Sequence, residues 1–393
     1  MADRAYLTPK VFKRARKSAK ISEEVAASKV AVSVDKLIEW ERGEIYPTIR
    51  QAQNLAKTYR RPFALFFLPD IPKDFHPLQD FRKKGSKELS TSSIFIIREI
   101  QQKQAWISDV NKDSEEDPVS FVGRYSIKDK PEDVAKDILK TLEINPLIYK
   151  SSNPILDWIN KAELNGIFIS RASFIHSRLK LDSYELQGFA IADKFAPFIF
   201  VNSDDWNAPQ LFTFIHELAH IWVAETGISN NIEPLIRNRT KHHPVELFCN
   251  EVAANSLMPS DYMLNLDSDV FSSSKNIFEV AKQIGVSSIA LLYRALNLKL
   301  ISIKSYGVLK DHVESDFKEF LKREAEKKTK QNKDSTNLPI YYPLILNRNG
   351  RLFTQIVLDA FRGGFIEPTH ASSLLNVKVN NFPKLEAQMF RWM

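Results

Sequence analysis

The chain has 393 residues, 44% of them hydrophobic and 26% charged, with Gly 11 and Pro 19. At about 150 residues per domain that is two to three domains, each able to bury its own core, and the composition excludes collagen-like and disordered chains. A lone cysteine, Cys249, excludes an intrachain disulfide framework, and the sequence holds no run of 18 apolar residues and no apolar leader, so a soluble cytoplasmic protein is expected. The net charge of +7 is unevenly spread. Residues 1–84 carry 18 Lys+Arg against 10 Asp+Glu, whereas the other 309 residues hold 37 basic and 38 acidic groups. The basic excess belongs to the amino-terminal fifth, which is where a polyanion would bind.

That fifth reads as a bundle of four or five short helices. Val11, Phe12, Ala15 and Ala19 recur at helical spacing after Pro9, a residue suited to a first turn. Ser22 before Glu23, Glu24, Val25 and Ala26 has the pattern of an N-cap with acids in the first turn, and Ser33 before Val34 to Ile38 repeats it. Gly43 closes the second of these helices, and Pro47-Thr48 opens another that carries Ala52, Leu55 and Ala56. Pro69, Pro72, Pro77 and Lys83-Lys84-Gly85-Ser86 then mark a linker. Helical patterns follow over Ile94 to Val110, Pro131 to Leu142 and Asn153 to Leu164. Short runs rich in Ile, Phe and Val at Gly166 to Ser170, Gly188 to Ala192 and Pro197 to Val201 read as strands. Two long helices, Pro209 to Val223 and Pro244 to Met258, come after them, which makes an α+β unit. Residues 278–298 give helix, turn, helix, with Gly285 at the turn. Lys310 to Lys333 reads as an exposed charged helix or a loose tether. Tyr341 to Met393 forms a last small helical unit, suited either to partner binding or dimerisation or to capping the fold.

The chemistry concentrates at His216-Glu217-Leu218-Ala219-His220. Two histidines four apart on a helix project from one face and can present two imidazole nitrogens to one Zn2+, while the Glu beside the first is placed to take a proton from water. With this chain's His and Glu content the pattern arises by chance only about 0.01 times, so a functional origin is favoured over two buried, hydrogen-bonded core histidines. A catalytic zinc site uses three protein ligands and leaves one position open. Glu246 and Glu251, on the helix between Pro244 and Pro259, are the candidates for the third. Glu246 is preferred, because Asn250 and Ala253 share its stripe as a supporting amide and a small residue, whereas Glu251 lies about 140° around the helix. Zinc and a general base equip such a site for amide hydrolysis, with Glu217 as the base. His242, His243 and Tyr262 are the nearby candidates for stabilising the oxyanion. The strand Phe198 to Val201 offers either an edge for an extended peptide or an ordinary paired strand.

At these residues the sequence resembles the ImmA/IrrE family of zinc metallopeptidases, bacterial and phage regulators with a gluzincin-like site. The resemblance rests on Phe212-Thr213-Phe214-Ile215-His216-Glu217-Leu218-Ala219-His220, on Glu246-Leu247-Phe248-Cys249-Asn250, on Ala253-Ala254 and on Leu257-Met258-Pro259. Upstream, Gly188-Phe189-Ala190 and Ala196 to Asn202 are similar to the family's strands before the active helix. It covers about residues 130–300 and implies His216, His220 and Glu246 as zinc ligands. The amino-terminal bundle resembles the XRE-type helix-turn-helix of phage repressors, through Ser22 to Ala27, Ser33 to Ile38, Trp40 to Glu44 and Pro47-Thr48. That resemblance implies double-stranded DNA as a partner, a homodimer, and Ser22, Lys29, Ser33, Lys36 and Arg42 at the DNA face. The helix after Ser33 also carries Asp35, Glu39 and Glu41.

The expected fold is therefore multidomain. An α-helical helix-turn-helix bundle (1–70) and a linker (71–92) precede an α+β zincin-like, gluzincin metallopeptidase domain (93–308). A charged helix or tether (309–338) and a small, mostly helical C-terminal region (339–393) follow. The expected function is a zinc-dependent regulatory endopeptidase. It would cut a protein substrate of repressor or antitoxin type, such as one encoded by a neighbouring gene, in a stress or phage response. The alternative is a DNA-binding transcriptional repressor or antitoxin-like regulator whose peptidase domain is structural or inactive.

Overall fold

The computed structural model describes residues 3–70, 78–82, 86, 88–176, 179–229, 243–334 and 341–390. The chain divides into two compact units. One comprises residues 1–77, 87–101 and 174–180, the other 78–86, 102–173 and 181–393.

In the first unit, helices α1 (Pro9–Ser18), α2 (Glu23–Lys29), α3 (Val34–Arg42) and α4 (Ile49–Tyr59) are followed by the 3-10 turn Phe63–Phe67. Local chemistry sets their ends. The Ser22 hydroxyl accepts from Val25 N and that of Ser33 from Lys36 N, both at 3.3 Å, and Thr48 and Gln51 form a reciprocal capping box. Each such cap satisfies backbone donors that a helix start leaves without partners. The apolar stripes meet in a core of Phe12, Leu37, Trp40, Leu55, Tyr59 and Phe66, all inaccessible to solvent. Arg16 crosses this bundle buried. Its guanidinium donates to Glu41 at 2.5 and 3.0 Å, to Glu23 at 2.7 Å and to Ile21 O at 3.0 Å. Glu41 thus faces the core, and it adds no negative charge to the exposed side of α3 as its position in the sequence suggested.

The second unit is built on a five-stranded mixed sheet. Its strands are β1 (Gln79–Asp80), β2 (Phe168–Ala172), β5 (Gly188–Ile191), β6 (Phe198–Asn202) and β7 (Gly227–Ser229), in the order β1-β7-β5-β6-β2. A separate hairpin, β3 (Phe174–His176) with β4 (Leu179–Lys180), lies among the residues of the first unit. Strand β5 runs antiparallel to both β6 and β7, and β2 and β1 pair parallel to β6 and β7 respectively. Both edges of β6 are therefore taken, so the ordinary-strand reading of Phe198 to Val201 holds and a peptide cannot add to it. Strands β1 and β7 carry no sequence signal. Each is only two or three residues long, and β1 falls in the stretch read as a linker.

Helix α8 (Asn207–Trp222) crosses the sheet, and every residue from Gln210 to Trp222 is buried. Around it pack α6 (Pro131–Thr141), α7 (Pro154–Leu164) and α9 (Pro244–Leu257), while α5 (Thr91–Asp113) contributes residues to both units. Beyond α9 come α10 (Ser260–Leu264), α11 (Ser274–Ile284), α12 (Ser288–Asn297) and the long α13 (Ile303–Asp334).

The last helices, α14 (Tyr341–Asn349), α15 (Arg351–Arg362), α16 (Pro368–Leu375) and α17 (Phe382–Phe390), include a cover for the outer strand β2. Ser170 Oγ donates to Arg348 O at 2.6 Å, and the buried Lys103 ammonium donates to Asn349 Oδ1 at 2.8 Å. The Glu163 carboxylate accepts from Arg351 N at 2.8 Å and Leu352 N at 3.2 Å, closing the start of α15. Gly350 has a φ of +77°, and a side chain there would collide with Ile169 O, so the junction of α14 and α15 needs glycine both for its conformation and for close approach to the strand. An open sheet edge is a site for unwanted pairing, and this cover removes it.

Candidate metal centre

Helices α8 and α9 lie side by side, which brings together residues 30 positions apart in sequence. The turn spacing of α8 stacks His216 over His220 on one face, and Glu246 enters from the first turn of α9. One donor atom from each of the three lies within 4.8 Å of the others. His216 Nε2 is 3.1 Å from His220 Nε2 and 3.5 Å from Glu246 Oε2, and His220 Nε2 is 3.2 Å from Glu246 Oε1.

The outer nitrogens explain why this cluster calls for a cation. His220 Nδ1 sits 3.1 Å from the backbone carbonyl of Glu225, which can only accept, so that nitrogen carries the proton. His216 Nδ1 is held at 3.1 Å by Asn250 Oδ1 in the same manner. In their neutral forms both rings therefore turn lone pairs inward, at each other and at a carboxylate. Three electron-pair donors converging in a buried space repel unless a positive ion lies between them, and this donor set of two imidazoles and one carboxylate fits Zn2+. Burial lowers the His216 pKa, which favours the neutral ligand form. Burial alone would raise the Glu246 pKa, but His216 and His220, in their protonated forms, hold it down at about 2; a cation between the three groups takes the same part once both rings are neutral. Ser229 Oγ, at the end of β7, donates to Glu246 Oε1 at 3.1 Å and fixes the carboxylate.

Glu217 is fully buried, and neither carboxylate oxygen has a hydrogen-bond partner among the described residues. Burial, reinforced by the charge on Glu246, raises its pKa well above the ordinary carboxylate range. Gly188 on β5 leaves the room it occupies, since a Cβ there would lie 2.8 Å from Glu217 Oε1. Such a carboxyl is poised to take up a proton rather than to serve as a static ion partner.

The other candidates fall elsewhere. Glu251 is exposed, about 140° around α9 from Glu246, and is absent from the cluster; it lines a cavity of about 230 Å³ with Asn250, Glu132, Tyr293 and Arg294. His243 caps α9, its Nδ1 accepting from Val245 N at 3.4 Å, and Tyr262 packs against the core from α10. His242 lies outside the described residues. In the first unit the Ser22 and Ser33 hydroxyls are committed to capping, while Lys29, Lys36 and Arg42 are exposed. Sequence reasoning missed Ser229, Gly188 and Phe81. The Phe81 ring stacks on His220 with centroids 5.4 Å apart and planes 17° apart, and it also meets His243 at 5.0 Å. Gly188 lies in a run that carries the family resemblance but no site signal, and no motif marks Ser229 or Phe81, because strand pairing delivers them.

Residues 162–296 match the family of the IrrE N-terminal-like domain, a peptidase family. The match takes in α8, both histidines, Glu217, Glu246 and Asn250, and it supports the resemblance to ImmA/IrrE proteins and a peptidase-type domain in this part of the chain. No curated protein matches the sequence. No helix among the described residues is long and apolar enough to cross a membrane.

Proposed function

We propose that this chain is a zinc-dependent regulatory endopeptidase joined to a DNA-binding helix-turn-helix. The single observation that carries the first half is the inward convergence of His216 Nε2, His220 Nε2 and the Glu246 carboxylate beside an unpartnered, buried Glu217. Bound there, Zn2+ supplies Lewis acidity that polarises a peptide carbonyl and acidifies water. Asn250 and the Glu225 carbonyl hold the imidazoles in the ligating tautomer, and Ser229 holds the carboxylate. Glu217 takes the proton from the attacking water and passes it to the departing amide nitrogen.

The second half is supported by the charge of residues 1–84 and by exposed Lys29, Lys36 and Arg42 on two capped short helices joined by a four-residue turn. By analogy with repressors of this shape the protein acts as a homodimer on double-stranded DNA, and its substrate is a repressor or antitoxin acting in a stress or phage response. The test is direct. Zinc-loaded protein is mixed with the short proteins encoded beside its gene, and one of them should be cut by the wild type and spared by Glu217→Gln. Stoichiometric zinc with every such protein left intact overturns the reading.

One observation favours a second reading, a repressor in which zinc is structural. His216, Glu217 and His220 are 0% exposed and Glu246 is 2% exposed, as a purely structural site would be. Under that reading a Glu217→Gln strain keeps the cellular function, and under the first it loses it.

A further inference from the structure

A hydrolase has to bring a peptide carbonyl to its metal, and at this centre every group that would meet it is sealed from solvent. Part of the seal is a piece of the chain with the form of a peptide. Residues 78–82 lie along the outer edge of β7, with Gln79 paired to Gly227 and Asp80 to Ile228 in parallel register, and Phe81 N donating to Ile228 O at 3.0 Å. The other edge of β7 is occupied by β5. The strand ends at Ser229, whose hydroxyl touches the Glu246 carboxylate, so its outer edge runs past the metal ligands.

Phe81 is the anchor of this segment. It is 1% exposed, its ring lies flat on the His220 imidazole, and it fills the space beside Gly227 that a side chain there would take. The next residue braces the segment from within. Arg82 Nε and Nη2 donate to the two Asp80 carboxylate oxygens at 2.8 and 2.7 Å, and Arg82 N donates to Asp80 Oδ1 at 3.1 Å. Main-chain pairing to a sheet edge with one side chain seated in a pocket is how proteins capture extended peptides.

We propose that the outer edge of β7 is a binding site for an extended peptide carrying an aromatic side chain, and that residues 78–82 hold it as an intramolecular occupant that must leave before another peptide reaches His220. The proposal deepens the peptidase reading and rests on it. It also accounts for the sealed centre without making the zinc structural. A tethered occupant acts at an effective concentration on the order of millimolar, so a segment whose own intrinsic affinity is micromolar weakens any competitor by about a thousandfold while it is in place.

The experiment uses the full-length, zinc-loaded protein carrying Glu217→Gln, which binds without cutting, and a fluorescent peptide of sequence Leu-Gln-Asp-Phe-Arg followed by anisotropy. Adding Phe81→Ala should tighten binding at least tenfold, and replacing Phe by Ala in the peptide should abolish that gain. Equal affinity for the two proteins, or binding to neither, overturns the proposal. Because Phe81→Ala also empties a buried space, a second measurement leaves the segment intact. In the Glu217→Gln protein, millimolar unlabelled peptide should speed hydrogen exchange at the Phe81 amide at least tenfold, and bound peptide with unchanged exchange overturns the proposal. Neither measurement reads cleavage. If both behave as expected while the wild type cuts no partner protein, the catalytic reading fails and the peptide site stands.

Discussion

Gly188 and Glu217 share one space: a Cβ at position 188 would stand 2.8 Å from the carboxylate oxygen Oε1, 2.9 Å from Thr213 Cγ2 and 3.1 Å from the Phe200 carbonyl. Two of those neighbours are held by helix and sheet, so a methyl group there displaces the carboxylate. On the proposed mechanism Gly188→Ala should lower kcat by about 10- to 100-fold with little change in KM, because the proposed base Glu217 moves while His216, His220 and Glu246 stay. Steady-state kinetics beside a zinc titration checks this, and equal losses in zinc binding and turnover would show that the substitution disrupts the whole centre instead.

Glu217→Gln keeps the shape and removes the proton acceptor. Zinc stoichiometry should be unchanged and cleavage should fall by about 100- to 10,000-fold. Normal turnover in this variant, measured on any protein the wild type cuts, would assign the base elsewhere.

The choice between the two carboxylates of α9 is open to metal analysis. Glu246→Ala should lose stoichiometric zinc, whereas Glu251→Ala, altering an exposed side chain outside the cluster, should retain it. Asn250→Ala and Ser229→Ala should each weaken zinc by about 10- to 100-fold, since they release a ligand's orientation but not the ligand. Chelator competition gives all four values, and an unaffected Glu246→Ala would refute the ligand set.

Metal removal should also lower thermal stability. At zinc concentrations about a thousandfold above Kd, binding to the folded state alone adds about 4 kcal/mol. Calorimetry with and without chelator should show the loss in the wild type and none in Glu246→Ala.

Glu163 supplies a pH dependence far from the metal. Burial pushes its pKa up to about 7, against the lowering effect of the Leu352 and Arg351 backbone donors. The folded state therefore holds a proton that the unfolded chain releases near its ordinary 4.5, so stability is full below that pH and falls as pH rises toward 7. The loss amounts to about 3 kcal/mol. Glu163→Gln still accepts from Arg351 N and Leu352 N and should flatten that slope. Urea melts at pH 5 and pH 8 compare the two proteins, and parallel slopes would contradict the assignment.

The signals that could be read from the sequence are short in range. His216 and His220 share a face because four residues make about one helical turn, and Glu246 stands out over Glu251 because Asn250 and Ala253 lie on its stripe. Ser22, Ser33 and Thr48 declared helix starts because a cap bonds only two or three residues ahead. Glu41 misled for the same reason. Its sequence neighbours place it on α3, but only the packing of α1 against α3 turns it inward to Arg16.

What the tertiary structure alone decided depends on partners far apart in the chain. The two-residue strand β1 has no pattern of its own and exists because β7 offers it an edge almost 150 residues later. Phe81 on His220, Gly188 beside Glu217, Ser229 on Glu246 and Glu163 under α15 are fixed in the same way. Local spacing specifies which side chains leave a helix together. Which of them are sealed, and by what, is settled only when sheet edges find partners, since unpaired backbone groups are costly where water cannot reach them and apolar rings are costly where it can.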